Sequence, residues 1–486
     1  MTTLTQPVEP RPALIGGRTV DAGDVCPVVF PYTGEAFASV RLVGEDAIEE
    51  ALSLATECRG AVAAVPPAER AAVLLRAAEI VEGRLEELAR QITLETGNAI
   101  WETRLEVRRT TEILRAAAEE TRRLVGEIVP IDGWPNGVGR RAMTQRVPVG
   151  PVLAITPYNA PLLLVAHKLA SAFGAGNPCI VRPATKTPLS ALSLGEIFTE
   201  AGATRGSVTV VPCPSRLGEA MARDERIKMV SFTGSEEVGW HLRRVAATHR
   251  VTLELGGNGA VIIHSDANLA YAAKRCAFGG FLRAGQACIS VQRIFVAADV
   301  ADAFEARFLD EIGKMTLGNP LDDDTVIGVL VDDAAADNAL TLIEDARNGG
   351  ATMLCGGGRD GRIVEPTVLR GIPRGTLVAD VEAFAPVVSI EPYTDFDAAL
   401  DAANATRYGL QAGLFTNDMR LVFRAFDRLE VGGLIVNDAN TFRVDHMPYG
   451  GTKQSGIGRE GVHYAMREMT EERLLVLDPT TRPEEG

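Results

Sequence analysis

Apolar residues in the first quarter of the chain recur at helical spacing. The pattern predicts three helices, over residues 45–62, 67–95 and 99–126. Pro66-Pro67 separates the first two because proline interrupts a helix, and Gly126 ends the third. A polar, proline-containing arm over residues 1–12 precedes them.

From about residue 150 short apolar runs alternate with helical stretches. Strands are predicted at residues 152–156, 179–182, 207–211, 229–232 and 250–255, and helices at 161–173, 188–201, 215–223 and 236–247. This alternation is typical of a parallel doubly wound sheet. A second alternation begins after Gly257 and predicts a second α/β unit. Its strands are expected at residues 259–263, 292–297, 386–391 and 433–437.

Composition limits the possible functions. A chain of 486 residues is too long for one core, and 46% apolar with 23% charged residues is ordinary globular composition. The net charge of −15 argues against a nucleic-acid partner, although local arginines can still bind an anionic substrate. The seven cysteines are scattered, so we expect neither disulfides nor a metal site. With no leader-like start and no long apolar run, we expect a cytoplasmic protein without membrane contact.

Two short segments carry residue types suited to covalent chemistry at a carbonyl. Glu254 precedes a Gly-Gly turn at the end of an apolar strand, where burial of a carboxylate is costly. Cys288 lies 34 positions later, just after a Gly-Gln turn that exposes a side chain at a loop. In such chemistry cysteine is the nucleophile, and glutamate is the base that later activates water.

Both segments resemble signature motifs of the NAD(P)-dependent aldehyde dehydrogenase family. Residues 253–258 are similar to the glutamate motif, and residues 281–288 to the cysteine motif F-x-x-x-G-Q-x-C. Further stretches resemble other family motifs: residues 156–161, 176–188, 232–239, 382–386 and 447–460. The resemblance implies an α/β fold of the aldehyde dehydrogenase type, with a Rossmann-type doubly wound cofactor domain, a second α/β catalytic domain and a small β oligomerisation element.

The resemblance implies roles for individual residues. Cys288 is the nucleophile, which forms a thiohemiacetal and then a thioester, and Glu254 is the general base for hydrolysis. Asn159, with the backbone N–H of Cys288, is the oxyanion donor. Lys168 and Glu471 match positions that relay protons or help to bind cofactor in relatives, but a plain lysine on a helix surface fits Lys168 equally well.

The resemblance also implies a nicotinamide cofactor, NAD+ or NADP+. Its expected ligands are Thr156, Pro157, Arg182, Thr185, Phe232, Gly234, Ser235, Leu255, Gly256, Glu382 and Phe384. Gly234 lies between a strand and a helix, whose first N–H groups can face a pyrophosphate. Two literal G-x-G-x-x-G matches, at 356–361 and 456–461, lack that context. Arg182 replaces the usual lysine, and Thr185 replaces the glutamate of many NAD-preferring members, so both cofactors stay possible.

Arginines near the expected substrate tunnel indicate the class of aldehyde. Arg108, Arg283 and Arg443 are candidate ligands for a phosphate, phosphonate or carboxylate, although arginines on an amphipathic helix are often simply solvated. Residues 438–447 and 461–466 resemble the branch that contains lactaldehyde, non-phosphorylating glyceraldehyde-3-phosphate and phosphonate-aldehyde dehydrogenases. This resemblance favours a small hydroxylated or anionic aldehyde.

Two other functions fit parts of the pattern. A coenzyme-A-acylating aldehyde dehydrogenase performs the same oxidation, but relatives of that type generally lack the carboxylate at position 254. A non-catalytic protein on the same scaffold is expected to lack Cys288, Glu254 or Asn159, and all three are present.

We predict three structural parts. The cofactor-binding domain covers residues 1–125 and 149–256, the catalytic domain 257–460, and the oligomerisation element 126–148 and 461–486. Polar and apolar residues alternate over 140–149, which predicts a strand pair at a sheet edge. Because an exposed edge is a liability in a monomer, we expect a homodimer or homotetramer.

Overall fold

Two helix-covered sheets and one small sheet contain most strands of the protein. The computed structural model describes residues 9–479, so most of the predicted arm over residues 1–12 and the end of the predicted oligomerisation element lie outside the described residues. Residues 9–479 form fifteen α-helices: α1 Glu45–Ala64, α2 Pro67–Gly83, α3 Leu85–Thr96, α4 Ile100–Arg123, α5 Leu163–Ala175, α6 Leu189–Glu200, α7 Ser215–Arg223, α8 Glu236–Val245, α9 Leu269–Phe281, α10 Ala301–Gly313, α11 Asp333–Asn348, α12 Leu377–Asp380, α13 Phe396–Asn404, α14 Met419–Arg428 and α15 Val462–Glu468.

The same range of the chain forms 24 strands, several of them very short. In chain order they are β1 Ala13–Ile15, β2 Arg18–Val20, β3 Asp24–Val29, β4 Ala36–Leu42, β5 Ile128–Val129, β6 Arg141–Pro148, β7 Val152–Ile155, β8 Cys179–Arg182, β9 Val208–Val210, β10 Met229–Thr233, β11 Arg250–Glu254, β12 Gly259–Ile263, β13 Val291–Ala297, β14 Thr352–Cys355, β15 Arg359–Asp360, β16 Ile363–Val364, β17 Thr367–Arg370, β18 Val387–Tyr393, β19 Tyr408–Gly409, β20 Gln411–Phe415, β21 Gly433–Val436, β22 Thr452–Lys453, β23 Gly456–Ile457 and β24 Thr470–Leu477.

Residues 45–123 are helical, as predicted, with one difference, whereas residues 13–42, for which no strand was predicted, form β1–β4. The region expected to be one helix forms two, α2 and α3, which meet at Arg84. The backbone of Arg84 leaves helical geometry, with φ −105° and ψ 25°. Gly83 at the end of α2 favours this break because glycine has weak helix propensity. The long helix α4 packs on α2 and α5, with Val107 and Leu114 in the core.

The first sheet contains the five predicted parallel strands. Its order is β2-β1-β9-β8-β7-β10-β11-β23, in which β9, β8, β7, β10 and β11 run parallel. Thr156, Gly234 and Leu255 directly follow β7, β10 and β11. These residues therefore lie at the carboxyl edge of the sheet, where doubly wound folds bind their ligands.

The second sheet confirms the predicted second α/β unit. Its order is β14-β17-β18-β13-β12-β20-β21, and every pair except β14–β17 is parallel. Helices α9, α10 and α11 contribute to its core, which contains Phe304 and Phe308. Strand β23 then returns to the first sheet, where Gly456 pairs with Glu254 at the end of β11.

The small sheet has the order β24-β6-β5. The prediction of a strand pair within residues 140–149 is wrong, because Arg141–Pro148 is a single strand whose partners, β24 and β5, come from elsewhere in the chain. Strand β24 pairs with β6 along its whole length. Its apolar residues Leu474 and Leu475 are 57% and 50% exposed, so the sheet presents apolar side chains to solvent.

Helix α15 ties the end of the chain to the first sheet. It packs on α5 and α4, and Met466 and Met469 lie in the hydrophobic core that those helices share. Between residues 9 and 479 no helix combines the length and the apolar character that crossing a membrane requires.

Candidate active site

Cys288 follows a tight turn after α9. Gly285 in this turn has a φ of 75°, and a Cβ there would lie 2.1 Å from the carbonyl oxygen of Ala385, so only glycine fits. The side-chain amide of Gln286 donates to the carbonyl of Arg283 at 3.1 Å. The Gly-Gln pair therefore shapes and fixes the turn of residues 283–288, which we call the nucleophile turn after the predicted role of Cys288.

The Cys288 thiol is partly buried and contacts the phenol of Tyr449. The Sγ and Oη atoms are 2.9 Å apart. Burial raises the pKa of Cys288 to about 11, although the contact with Tyr449 and the charge of Arg443 act in the opposite direction. The thiolate is the reactive form of cysteine, so a base must take the thiol proton when reaction begins.

The side chain of Asn159 lies against the nucleophile turn. Its Nδ2 donates to the carbonyl of Gln286 at 2.8 Å, and its own backbone carbonyl accepts from Nδ2 of Asn98 at 3.0 Å. Asn159 is only 8% exposed. A primary amide has two N–H groups, so the second can serve a reacting oxygen while the first holds the turn.

Glu254, the last residue of β11, has a buried carboxylate. The residue is 4% exposed, and neither carboxylate oxygen has a hydrogen-bond partner within residues 9–479. Burial, followed by the charge of Glu460, raises the pKa of Glu254 well above its usual value. Leaving such a group unpaired is costly, which is typical of a functional carboxylate.

The thiol of Cys288 and the carboxylate of Glu254 lie next to two consecutive residues, Tyr449 and Gly450. Tyr449 contacts the sulfur of Cys288, and a Cβ on Gly450 would lie 3.0 Å from Oε1 of Glu254. A Cβ on Gly257 would lie 2.8 Å from the carbonyl oxygen of Cys288. Glycine at both positions therefore lets the strand end and the nucleophile turn approach closely.

Lys168 of α5 is fully buried, so the alternative of a helix-surface lysine is wrong. Its Nζ donates to Ser231 Oγ and to Glu460 Oε1, each at 3.1 Å. Glu471 was predicted to share a role with Lys168. It is instead an exposed residue of β24 and forms an ion pair with Arg250 at 3.1 Å. The buried partner of Lys168 is Glu460. Glu460 ends the motif-like stretch 447–460, from which no role for it was predicted.

Arg443 is buried in a charged cluster next to Tyr449. Its guanidinium lies 3.7 Å from the centre of the Tyr449 ring, and its Nη2 donates to Glu460 Oε2 at 3.1 Å. Asp445 lies 3.9 Å from Nε of Arg443 and forms a two-bond ion pair with Arg109, at 2.6 and 3.0 Å. Arginine and carboxylate charges thus alternate through this cluster.

The other two candidate substrate arginines differ in their surroundings. Arg283 contacts Glu106 of α4 at 3.1 Å, and Oε1 of Glu106 accepts the backbone N–H groups of Leu162 and Leu163. Glu106 therefore ties the nucleophile turn to the start of α5. Arg108 is exposed, with no ion pair in the described part of the chain.

Two of the predicted cofactor residues, Ser235 and Glu382, line one cleft of about 680 Å³. Glu382 accepts the backbone N–H of Gly257 at 3.1 Å, and burial raises the pKa of Glu382 to about 8. A Cβ on Gly256 would lie 2.2 Å from the Glu382 carboxylate, so a larger residue there would displace that carboxylate. Ser235 precedes the first residue of α8, where backbone N–H groups are free of helical partners.

The remaining predicted cofactor residues lie around the carboxyl edge of the first sheet. Arg182 ends β8 and donates to the Cys213 carbonyl and to Ser215 Oγ at 3.2 and 3.1 Å. Thr156 and Pro157 follow β7, Thr185 follows β8, Phe232 and Gly234 flank the end of β10, and Leu255 follows β11. Phe384 has a φ of 46° and packs edge-on against Tyr158, with ring centres 6.0 Å apart.

Comparison with known proteins identifies close relatives. The model of the aldehyde dehydrogenase family matches residues 19–475. A 3-sulfolactaldehyde dehydrogenase of Priestia aryabhattai is 40% identical over 479 residues, which cover 98% of this chain and 100% of the relative. The structure of aldehyde dehydrogenase 21 from Physcomitrella patens, in complex with the reaction product succinate, is 38% identical with a TM-score of 0.95 and covers 98% of this chain and 100% of its own. Glyceraldehyde-3-phosphate dehydrogenase GapN of Methanocaldococcus jannaschii, complexed with NADP, is 34% identical with a TM-score of 0.91 and covers 94% and 100%.

Proposed function

The chain belongs to the aldehyde dehydrogenase family and is an NAD(P)-dependent enzyme, and from this premise we propose that it oxidises a small anionic aldehyde to the free carboxylic acid. One observation carries the proposal. The thiol of Cys288 and the unpaired carboxylate of Glu254 lie against the adjacent residues Tyr449 and Gly450. A nucleophile and a base in one buried site are what acylation followed by hydrolysis requires.

The residues at the carboxyl edge of the first sheet fit a nicotinamide cofactor. Arg182 Nε and Thr233 Oγ1 are buried and have no hydrogen-bond acceptor or donor in residues 9–479, so a bound polar ligand would satisfy them. Arg182 and Glu382 would hold ribose hydroxyls, and the N–H groups at the start of α8 would hold the pyrophosphate. When bound, NAD(P)+ supplies the acceptor for the hydride.

In the first half-reaction Cys288 forms the covalent bond to substrate. Glu254 takes the thiol proton, and the sulfur attacks the aldehyde carbon to give a thiohemiacetal. The developing oxyanion accepts hydrogen bonds from the second N–H of Asn159 and from the backbone N–H of Cys288. Loss of hydride from this adduct leaves a thioester on Cys288.

In the second half-reaction Glu254 acts on water. The carboxylate removes a proton from a water molecule, the oxygen attacks the thioester carbon, and the C–S bond breaks to release the acid. This step distinguishes hydrolysis from acyl transfer to coenzyme A, in which a thiol takes the acyl group. The buried, unpaired state of Glu254 favours the hydrolytic function.

Buried arginine donors support an anionic substrate. Nε of Arg283 and Nε of Arg443 are both buried without a hydrogen-bond acceptor among the described residues. An unpaired buried donor is costly, and a bound phosphonate, phosphate, sulfonate or carboxylate would remove that cost. The three relatives named above act on a sulfonated aldehyde, release succinate, or oxidise a phosphorylated aldehyde, so each handles an anion.

A panel of matched aldehydes tests the proposed substrate class. We expect at least one of 3-sulfolactaldehyde, glyceraldehyde 3-phosphate and succinate semialdehyde to exceed its uncharged counterpart by about tenfold or more in kcat/KM, because a charge-assisted hydrogen bond contributes about 1.5–3 kcal/mol. The counterparts are lactaldehyde, glyceraldehyde and butanal. Each pair is followed at the reduced-cofactor absorbance with NAD+ and with NADP+.

Two results of the panel would contradict the proposal. Preference for the uncharged member in every pair would show that the substrate is not an anionic aldehyde. Formation of acyl-coenzyme A in preference to free acid, when coenzyme A is supplied, would show acyl transfer instead of hydrolysis.

We further propose that the protein forms a homodimer or homotetramer through the small sheet. Support comes from the exposed apolar residues Leu474, Leu475 and Val476 of β24, which lie at the edge of a sheet of three strands. We expect analytical ultracentrifugation at micromolar concentration to give the mass of a dimer or tetramer. A Leu474→Glu/Val476→Glu variant should shift that mass downward, and a wild-type protein that sediments as a monomer would rule the assembly out.

A further inference from the structure

Tyr449 touches the reacting atom of the proposed mechanism, yet neither the glutamate motif nor the cysteine motif contains it. Its Oη lies 2.9 Å from Cys288 Sγ, and the residue is 3% exposed. The guanidinium of Arg443 lies over the Tyr449 ring, 3.7 Å from the ring centre. Sulfur, phenol and cation therefore form one stack: Cys288 contacts the hydroxyl, and Arg443 covers the ring.

We propose that Tyr449 is a catalytic residue, whose phenolic O–H donates a hydrogen bond to the sulfur of Cys288 whenever that sulfur carries negative charge. This assignment rests on the proposed function, since it takes Cys288 as the nucleophile. This hydrogen bond acts at two steps of the reaction. Before attack it stabilises the thiolate that forms when Glu254 takes the thiol proton. During hydrolysis it stabilises the same thiolate as it leaves the acyl carbon.

Hydrolysis of the thioester does not require Tyr449 to give up its proton. The proton of the attacking water goes to Glu254, and the tetrahedral oxyanion collapses to the acid. The electrons of the C–S bond pass to sulfur, which leaves as thiolate and accepts the Tyr449 hydrogen bond. A hydrogen bond to an ionised acceptor is about twice as strong as one between neutral groups, so it favours the charged state of sulfur.

The surroundings determine which partner donates. Burial, followed by the nearby charge of Cys288, raises the pKa of Tyr449 well above its usual value, so the phenol keeps its proton when the thiol ionises. Arg443 acts against that rise, because a cation over the ring favours negative charge on the oxygen and so strengthens the O–H as a donor. Arg443 is itself held by Glu460 at 3.1 Å, which keeps the stack in place.

Tyr449→Phe removes the hydroxyl and keeps the ring under Arg443, so it isolates the hydrogen bond. We expect the pKa of the Cys288 thiol to rise by about one unit, which lowers the thiolate fraction about tenfold. The remaining thiolate is more nucleophilic, so alkylation of Cys288 by iodoacetamide at pH 8 should fall by about threefold. The rate is followed on the Cys288 peptide by mass spectrometry, and kcat/KM should fall at least as much.

Tyr393→Phe is the matched control, since it removes a phenol that is also hydrogen-bonded, at 2.9 Å to His264, but lies outside the site. It should leave both rates unchanged. Alkylation and kcat/KM equal to wild type in Tyr449→Phe, with cofactor binding intact, would overturn the role of Tyr449. That failure is separate from failure of the proposed function, which would appear as retained turnover in Cys288→Ala whatever the behaviour of Tyr449→Phe.

Discussion

Replacing Cys288 by alanine is expected to lower aldehyde oxidation by about 10⁴-fold or more, because removal of a covalent nucleophile leaves only the contributions of binding and the oxyanion site. Cofactor binding should stay close to wild type, since Ser235, Arg182 and Glu382 are untouched. Oxidation is measured at the reduced-cofactor absorbance. Binding of NAD(P)+ is measured by quenching of Trp240, which lines the proposed cofactor cleft.

Cys355→Ala is the matched control for this loss. Cys355 is also a partly buried free thiol, but it belongs to β14 and contacts the carbonyl of Pro366 at 3.6 Å. This variant should oxidise aldehydes at the wild-type rate. Turnover retained in Cys288→Ala would mean that another group forms the covalent bond.

Replacing Glu254 by glutamine should separate the two half-reactions. Glutamine has nearly the shape of glutamate but cannot take a proton, so we expect the steady-state rate to fall by about 10²- to 10⁴-fold, the usual contribution of a general base. The first turnover should still give reduced cofactor equal to the enzyme concentration, but more slowly than in the wild type, because Glu254 also takes the thiol proton. Stopped-flow absorbance measures both phases.

The pH dependence adds a second test of Glu254. Its carboxylate is the active base, and its pKa is raised by burial, so the wild-type hydrolysis rate should fall as pH drops through that raised pKa. This acidic limb should be absent from the residual rate of the glutamine variant. Glu365→Gln, at an exposed glutamate of the second α/β unit, is the control.

Different outcomes for Glu254→Gln have distinct meanings. A slower burst would mean that Glu254 also removes the Cys288 proton, as the mechanism proposes for the first half-reaction. A wild-type steady-state rate would make Glu254 a structural residue and remove the main support for hydrolysis.

Local sequence patterns predicted much of the fold. Strands β8 and β12 begin and end at the predicted residues because short apolar runs between turn residues define them. Helix α7 does so because its apolar residues recur at helical spacing. The sequence pattern gave a wrong prediction where pairing with strands distant in the chain determines the local structure. Residues 141–148 form one strand because β24 and β5 cover its two sides, and no local feature encodes those partners.

In the candidate site, too, local motifs predicted some residues, whereas contacts between residues distant in the chain were not predictable. Cys288 and Glu254 were predicted because short motifs surround them. Lys168 was harder to place, since α5 is buried on nearly all sides and has no polar face to orient it. Its partner Glu460 and the contact of Tyr449 with Cys288 join residues 292 and 161 positions apart, so only the folded chain brings them together.

Intact-protein mass spectrometry of the Glu254→Gln variant, quenched after one turnover with NAD(P)+ and the preferred aldehyde, tests the proposed chemistry most directly. The mass should increase by one acyl group per burst of reduced cofactor, and peptide mapping should locate that group on Cys288. Stoichiometric reduced cofactor with unmodified protein, or an acyl group on another residue, would contradict a Cys288 thioester that Glu254 hydrolyses.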